Sequence, residues 1–215
     1  MNNPVRAYQI NLRARADRWQ ECLLNHREKG FPDGLIQRFE ACEDRDFGGL
    51  GCAKSHVKLL TEFLTQDETP VCVVLEDDFD FRISFTEFAD KLQAVAKLGL
   101  PWDVLLLAGA KVLTLDQRAG ELFRVFASDT TSGYIVSRAY VPVLAHCFME
   151  SLVEMQQFRH AQPRGLFYER LAIDQVWKRL QRRDRWYIWA PSIGAQRPSF
   201  SDIESSFANY TAVSH

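Results

Sequence analysis

The sequence predicts an α/β protein with a mainly parallel central sheet flanked by helices, in one domain of residues 1–215. Strand-like and helix-like segments alternate four times in the first half of the chain, which is typical of a parallel sheet with helices on its faces. The run PVCVVL at 70–75 holds five apolar residues, three of them valines, as expected of a strand buried on both faces.

Periodicity and helix-end signals place the elements along the chain. The predicted strands are 5–12, 35–39, 71–75, 102–108, 122–127, 134–137 and 186–190. The predicted helices are 15–29, 51–64, one opened by a capping box of Ser84 and Glu87, 138–155 and 173–181. The polar segment 40–49 is expected to be a loop, and an aperiodic tail begins near residue 192.

The composition is ordinary for a soluble globular protein. Of the 215 residues, 47% are hydrophobic and 25% are charged, and a chain of this length can bury a sizeable core. The 26 basic and 28 acidic residues give a net charge of −2, which argues against nucleic acid as a partner.

Cysteine usage and hydropathy indicate the compartment. The five cysteines are odd in number and form no C-x-x-C pair, so we expect free thiols in a reducing compartment. We find no signal peptide, and no stretch approaches the roughly 18 apolar residues of a membrane span. We therefore expect a cytoplasmic protein without a transmembrane segment. The basic run 181–186 is a candidate contact with an anionic acceptor or a peripheral membrane surface, or else a solvated helix end.

The buried strand 71–75 ends in an acidic cluster. Glu76, Asp77 and Asp78 follow it directly, and Asp80 comes two residues later. Ligands of open α/β sheets bind at the carboxyl ends of the strands, and adjacent carboxylates repel one another. A divalent cation is the simplest group to offset that repulsion, because hard cations take oxygen ligands. The alternative is a solvated acidic turn in which Asp80 acts as a cap.

Seven short motifs follow one another between residues 10 and 203. They are Ile10-Asn11-Leu12 with Arg15 and Arg18, Gly51-Cys52-Ala53 with Ser55 and His56, Leu75-Glu76-Asp77-Asp78, Trp102-Asp103, Thr131-Ser132-Gly133-Tyr134, Ile173-Asp174, and Gln196 with Ser201-Asp202-Ile203. Because it has these motifs in this order, the chain resembles glycosyltransferase family 25, which includes lipopolysaccharide-core and collagen galactosyltransferases. The resemblance implies a GT-A type fold and transfer of a sugar from a nucleotide donor. Residues 1–110 would then bind the nucleotide, and residues 111–215 would face the acceptor.

The resemblance also implies a metal-assisted reaction. In GT-A enzymes the last acid of such a cluster binds the metal directly, which makes Asp78 the candidate ligand of Mn²⁺ or Mg²⁺. Glu76 is a further candidate ligand, and Glu76 or Asp77 would contact the ribose or metal-bound water. Asp202, in the tail, is either another ligand or an exposed loop acid. The ion would neutralise the diphosphate leaving group.

The expected contacts to the nucleotide sugar come mainly from loops and helix starts. The predicted set is Asn11, Arg15, Ala41, Asp44, Ser55, Glu76, Asp77, Ser132 and Gly133. Arg15 has a guanidinium fork suited to phosphate oxygens, or else faces solvent at a helix start. Ser132 and Gly133 offer polar groups to a sugar, or else form an ordinary turn. His56, inside a predicted helix, is expected to be a buried structural histidine.

Asp174 is the candidate general base. An inverting transfer is a single displacement, so the acceptor hydroxyl must lose a proton as it attacks, and a carboxylate within hydrogen-bond reach can accept that proton. Asp174 lies near the start of a predicted helix, where burial would raise its pKa and the helix N-terminus would lower it. On the pattern alone, a helix-start acid without a catalytic role is an equal alternative.

The sequence thus predicts an inverting, metal-dependent glycosyltransferase. It would move a hexose, with galactose as first choice, from a UDP-sugar to a glycan, lipid-linked or protein hydroxyl, as in lipopolysaccharide biosynthesis. A nucleotidyltransferase is the alternative enzyme, but the first strand leads into INLRARADR without the expected glycine-rich phosphate loop. A catalytically inactive sugar- or nucleotide-binding module is the third alternative. The joint presence of Glu76, Asp78 and Asp174 argues against it.

Overall fold

The computed structural model describes residues 5–160, 170–197, 199–201 and 206–208. The strands are β1 (Val5–Asn11), β2 (Ile36–Glu40), β3 (Val71–Glu76), β4 (Phe79–Phe81), β5 (Val104–Leu106), β6 (Ala110–Ala119), β7 (Leu122–Asp129), β8 (Gly133–Ser137), β9 (Trp186–Trp189), β10 (Gly194–Gln196), β11 (Ser199–Ser201) and β12 (Ser206–Ala208). The helices are α1 (Ala16–Glu28), α2 (Gly48–Gln66), α3 (Phe85–Leu98), α4 (Val141–Gln157), α5 (Ile173–Val176) and α6 (Lys178–Arg183). Across these described ranges, none of the helices combines the length and the apolar character needed to cross a membrane.

Eight of the strands form one sheet in the order β2-β1-β3-β8-β5-β9-β7-β6. β1 pairs in parallel with β2 and β3, and β5 pairs in parallel with β9. The other four neighbouring pairs are antiparallel. The predicted α/β fold with a helix-flanked central sheet is confirmed. Its parallel part lies where the first half alternates strand and helix, whereas strand directions mix in the second half.

Side chains of β3 alternate between two apolar layers, one on each face of the sheet. Cys72 and Val74 join the cluster that contains residues of α2 and α4. Val73 and Leu75 join the cluster on the opposite face, together with Phe88 of α3. β3 is therefore buried on both faces, as its apolar sequence predicts, and its carboxyl end leads directly into the acidic cluster.

Several elements differ from the sequence prediction, which includes none of the short strands β4, β10, β11 and β12. The sequence does not predict β6, because register shifts interrupt its pairing with β7 and its exposed side chains include Leu113, at 59% exposure. α2 begins at Gly48, inside the segment expected to be a loop, because Leu50 is buried and belongs to the core. The helix expected at 173–181 is interrupted at Trp177, which separates α5 from α6.

A short antiparallel pair brings the C-terminal part of the chain to the acidic cluster. β4 follows the cluster directly, and β10 pairs with it. A Cβ added at Gly133 or Gly194 would overlap the ring of Phe79, and at Gly133 it would lie 2.5 Å from Phe79 Cδ2. Packing against this ring therefore requires glycine at position 133, whose predicted contact with the donor stays a prediction.

Replacing Gly133 with alanine is expected to destabilise the protein by about 3 kcal/mol, because the added methyl group overpacks the Phe79 ring. The control is Gly34→Ala. Gly34 has a φ of +77° but no atom within 4 Å of an added Cβ, so this change strains only the backbone. It should cost about 1 kcal/mol. Urea unfolding measures both losses, and equal losses would contradict the packing role of Gly133.

Candidate active site

The acidic cluster begins where β3 reaches the carboxyl edge of the sheet. The backbone N–H of Glu76 donates to Ser132 O at 2.8 Å, and the carbonyl of Glu76 accepts from Gln9 Nε2 at 2.6 Å. These bonds fix the backbone at the point where the strand ends. The three carboxylates that follow contact three different sets of partners, so their chemistry differs.

Asp77 is directed toward β1 and α1. Its Oδ2 accepts from Asn11 Nδ2 at 2.7 Å and its Oδ1 from Arg18 Nη1 at 2.8 Å. Its carbonyl accepts from Arg197 Nη2 at 2.6 Å. Both carboxylate oxygens are thus used inside the protein, where they tie the acidic cluster to the N-terminal motif. The predicted contact of Asp77 with the nucleotide stays a prediction.

Asn11 and Arg15 differ in their access to a ligand. Asn11 is buried at the end of β1, where its amide nitrogen also donates to Arg15 O at 3.1 Å and its oxygen accepts from Arg38 Nη2 at 2.5 Å. The Arg15 guanidinium is ion-paired with Asp17 at 2.9 Å, and 29% of its side chain is exposed. Asn11 therefore supports the site from inside, whereas Arg15 lies at the surface.

Glu76 is directed toward α2 and the loop before β8. Its Oε1 accepts from Thr131 Oγ1 at 2.5 Å and lies 3.1 Å from His56 Nε2. His56 is fully buried and its Nδ1 lies 2.9 Å from Tyr134 Oη, as expected of a structural histidine. Burial raises the pKa of Glu76, but the hydrogen bonds of His56 and Thr131 outweigh burial and hold that pKa below its ordinary value. Glu76 is therefore ionised at neutral pH.

Asp78 is an acid of the cluster with a buried oxygen that lacks a hydrogen-bond partner. It is buried, and its Oδ2 accepts from Gln196 Nε2 at 3.0 Å. Its Oδ1 has no hydrogen-bond partner among the described residues. Gln196 is held in turn by the Thr130 hydroxyl, which donates to its Oε1 at 2.7 Å. Burial, followed by the negative charge of Glu76, raises the pKa of Asp78 to about 7.

The unpartnered Oδ1 of Asp78 suits a divalent cation, for which Glu76 is the second predicted ligand. A buried carboxylate oxygen without a partner is rare in folded proteins, and a hard cation would satisfy it. The cation would also offset the charge of Glu76, which is one cause of the raised pKa of Asp78. Asp80 has a similar unpartnered oxygen, but its other oxygen lies 3.4 Å from Arg197 Nε. Asp202, the other predicted ligand, lies outside the described residues.

The remaining predicted donor contacts lie around the loop between β2 and α2 and before β8. Asp44 is ion-paired with Lys54 at 3.0 Å and Arg159 at 2.9 Å, and only 4% of its side chain is exposed. The buried hydroxyl of Ser55 bonds to the backbone of that loop and of its own helix. The N–H of Ala41 joins β2 to β1. These three residues support the loop, and their contact with the donor stays a prediction.

Ser132 differs from these loop residues. Its side chain is fully buried, and among the described residues its Oγ has no hydrogen-bond partner. A buried hydroxyl in this state lacks the bonds that normally offset its desolvation. Because its carbonyl is bonded to Glu76 N, the hydroxyl lies beside the acidic cluster, which is compatible with its predicted contact with a ligand.

Asp174 lies at the start of α5, close enough to Glu76 for their charges to interact. Its Oδ2 accepts from the N–H of Thr130 at 3.0 Å, and its Oδ1 from Gln175 Nε2 at 3.2 Å. Burial raises the pKa of Asp174, the Thr130 bond lowers it, and the charge of Asp129 raises it again, so the net shift is upward. Burial, one of the two effects expected from the sequence, is the largest cause of this shift.

Thr130 connects Asp174 to Asp78. Its N–H binds Asp174, and its hydroxyl binds Gln196, which in turn binds Asp78. Its φ of +69° lies in the left-handed region, where residues other than glycine are strained, and such strain is concentrated at functional sites. Sequence reasoning missed Thr130, although the polar run that follows β7 was a signal for it.

Asp129 is a second residue that sequence reasoning missed. It ends β7 one position before Thr130, and its carboxylate is ion-paired with Lys111 at 3.2 Å and with Lys178. Gln175 Nε2 also lies 3.4 Å from it. Because two lysines compensate its charge, Asp129 is a poorer candidate for a base than Asp174.

In the absence of a bound cation, Asp78 is expected to destabilise the protein as the pH rises. Its pKa is about 7 in the folded protein against an ordinary value of 3.8, so the folded state holds the proton more tightly. The free energy of unfolding therefore falls as the pH rises from about 4 to about 7. Asp78→Asn should be more stable than the unchanged chain by about 2 to 4 kcal/mol at about pH 8, and by much less at about pH 4.

Urea unfolding in the presence of a chelator measures this difference at both pH values. The control is Asp90→Asn, which changes an exposed acid of α3. The raised pKa of Asp78 would be contradicted if the stability gained by Asp78→Asn did not depend on pH. It would also be contradicted if the control gained the same pH-dependent stability.

Comparison with known families gives a match over the part of the chain that contains the second to fourth motifs and the start of the fifth. A model of Glycosyltransferase family 25 (LPS biosynthesis protein) matches residues 46–132. This segment contains α2, the acidic cluster and the Thr131-Ser132 pair. The family resemblance predicted from the motifs is therefore confirmed over this segment. No curated protein sequence gives a significant match.

Two solved structures are similar to the chain at low sequence identity. One is mannose-1-phosphate geranyltransferase from Thermus thermophilus, with a TM-score of 0.44 and 11% identity over 88% of this chain and 58% of that chain. The other is a glycosyltransferase involved in the glycosylation of the major capsid of PBCV-1, with a TM-score of 0.47 and 10% identity over 94% of this chain and 96% of that chain. The chain thus spans less than two thirds of the first of these proteins.

Proposed function

We propose that the chain is a metal-dependent glycosyltransferase that moves a hexose from a UDP-sugar to an acceptor hydroxyl with inversion at the anomeric carbon. The family match over residues 46–132 supports glycosyl transfer as the reaction class. Galactose is the proposed sugar, and a hydroxyl of a glycan, lipid-linked or protein acceptor is the proposed target. Both choices follow from the membership of the family that the chain resembles.

The buried Asp78 carboxylate, with its unpartnered Oδ1, is the observation that carries this proposal. Asp78 and Glu76 would hold Mn²⁺ or Mg²⁺, which would neutralise the diphosphate as it leaves. Gln196 fixes the orientation of Asp78, and His56 and Thr131 fix that of Glu76. The carboxylates are therefore held in place before any ligand binds, as preorganised electrostatic catalysis requires.

Asp174 is the proposed general base. As the acceptor oxygen forms a bond to the anomeric carbon, the bond from that carbon to the UDP oxygen breaks, and the acceptor proton passes to Asp174 and then to solvent. Thr130 and Gln175 orient the carboxylate. Burial raises the pKa of Asp174, so its ionised carboxylate is a stronger base than that of an ordinary aspartate.

Two of the predicted donor contacts gain support from their surroundings. The partly exposed guanidinium of Arg15 suits the phosphates of the donor, because a planar fork can bind two oxygens at once. The unpartnered hydroxyl of Ser132 suits the sugar or the diphosphate. Asp77 links the acidic cluster to Arg18, and it is also proposed to contact the ribose or metal-bound water of the donor complex.

A panel of UDP-hexoses tests the proposal. The purified chain would be incubated with each sugar nucleotide and Mn²⁺, with GDP-mannose as the nucleotide control, and the released nucleoside diphosphate would be measured. We expect UDP release from at least one UDP-hexose, with UDP-galactose the most active, and a loss of that release when a chelator is added. UDP release that is unchanged by the chelator, or the absence of UDP release from every UDP-hexose, would contradict the proposal.

A further inference from the structure

A second group of metal-ligating side chains lies beside the acidic cluster. The sulfur of Cys52, a ring nitrogen of His56 and a carboxylate oxygen of Glu76 all lie within 4.8 Å of one another. Cys52 is a free thiol, and the residue as a whole is half-buried. The group therefore combines a sulfur, a nitrogen and an oxygen as ligand atoms.

The fold holds these ligands in a spacing that suits chelation. Cys52 and His56 are four residues apart on α2, so their side chains share one face of the helix. The same i, i+4 spacing places two ligands on one helix in zinc proteases. Glu76 supplies the third atom from the end of β3, a separate and rigid element.

The distances are close to those of a tetrahedral zinc site. His56 Nε2 and Glu76 Oε1 are 3.1 Å apart. Nitrogen and oxygen ligands at about 2.0 to 2.2 Å from zinc lie about 3.4 Å apart in a tetrahedron, and the sulfur lies about 3.6 Å from each. Closing the group around an ion therefore needs side-chain movements of about 1 Å.

We propose that Cys52, His56 and Glu76 form a binding site for a borderline-soft divalent cation, with Zn²⁺ as the expected occupant. The sulfur and nitrogen atoms select such a cation over Mg²⁺, which prefers oxygen ligands. Three protein ligands leave a fourth position open for water or an inhibitor. On binding, the Cys52 thiol proton passes to solvent, and the N–H at His56 Nδ1 donates a hydrogen bond to Tyr134 Oη, 2.9 Å away.

The site predicts inhibition by zinc, a consequence that rests on the proposed function. Glu76 belongs to both groups of ligands. Zn²⁺ bound to Cys52 and His56 would therefore compete for the Glu76 carboxylate with the cation proposed at Asp78. Zn²⁺ should then lower Mn²⁺-dependent transfer. The binding itself does not depend on the reaction, so it is measured separately from activity.

The test uses Co²⁺ and Zn²⁺ with the intact chain. We expect Co²⁺ to give a thiolate-to-metal charge-transfer band, and Zn²⁺ to displace it. Cys52→Ser should lose the band and bind Zn²⁺ about 100-fold more weakly or worse, since even the partners of metal ligands are worth 10- to 100-fold. Cys42→Ser, which changes the other half-buried cysteine, should behave like the unchanged chain.

Mapping of alkylated cysteines gives a second measurement that needs no variant. Zn²⁺ should protect Cys52 from a maleimide, whereas Mg²⁺ should not. Absence of the charge-transfer band, or equal alkylation of Cys52 with and without Zn²⁺, would overturn the site. If the chain binds Zn²⁺ in this way but transfers no sugar, the zinc site is supported and the proposed function is wrong.

Discussion

Asp78→Asn is expected to lower metal-dependent transfer by about 10³-fold, because the cation proposed to bind Asp78 would stabilise the leaving diphosphate by several kcal/mol. Asparagine keeps the shape of the side chain and can still bond to Gln196, but it removes the negative charge that would retain the ion. Initial rates of UDP release at saturating Mn²⁺ measure the loss. The same change should stabilise the apoprotein at alkaline pH, so that activity and stability move in opposite directions.

The matched control is Asp80→Asn. Asp80 lies two residues away and also has a buried oxygen without a partner, but Arg197 compensates its charge. We expect this variant to keep most of the activity. If Asp80→Asn lost as much activity as Asp78→Asn, the choice of Asp78 as the metal ligand would be wrong.

Asp174→Asn is expected to have the second largest effect on activity. Its kcat should fall by about 10² to 10⁴-fold, the range attributed to general-base catalysis, while the affinity for UDP should change little. The variant keeps an oxygen that can accept the Thr130 N–H bond and loses only the ability to take a proton. Single-turnover transfer to an acceptor, together with UDP titrations, separates the two quantities.

Asp129→Asn is the control for this assignment. Asp129 lies near Asp174 and raises its pKa, but Lys111 and Lys178 are ion-paired with it. We expect Asp129→Asn to have a smaller effect on kcat than Asp174→Asn. The reverse order would identify Asp129 as the base.

The sequence predicts best those features whose residues lie close together along the chain. The apolar run of β3 and the acids that end it are neighbours in sequence, so periodicity and charge predict both the buried strand and its charged end. The capping box of Ser84 and Glu87 is confirmed for the same reason, since its partners lie three residues apart. Motif order, which spans most of the chain, then predicts that Asp78 and Asp174 belong to one site.

The sequence cannot predict which partner each acid takes, because those partners are distant along the chain. Asp77 contacts Arg18 and Asn11 across 59 and 66 residues, and Asp78 contacts Gln196 across 118. Three consecutive acids look equivalent in sequence, and only these contacts make them different. The packing of Gly133 on the Phe79 ring is hidden for the same reason.

Titration of UDP into the chain by calorimetry, with and without Mn²⁺, tests the central claim most directly. A cation held between Asp78, Glu76 and the diphosphate should make UDP bind about tenfold more tightly or better, and Asp78→Asn should abolish that gain. An affinity for UDP that is equal with and without Mn²⁺ would contradict the claim, as would a metal dependence that survives Asp78→Asn.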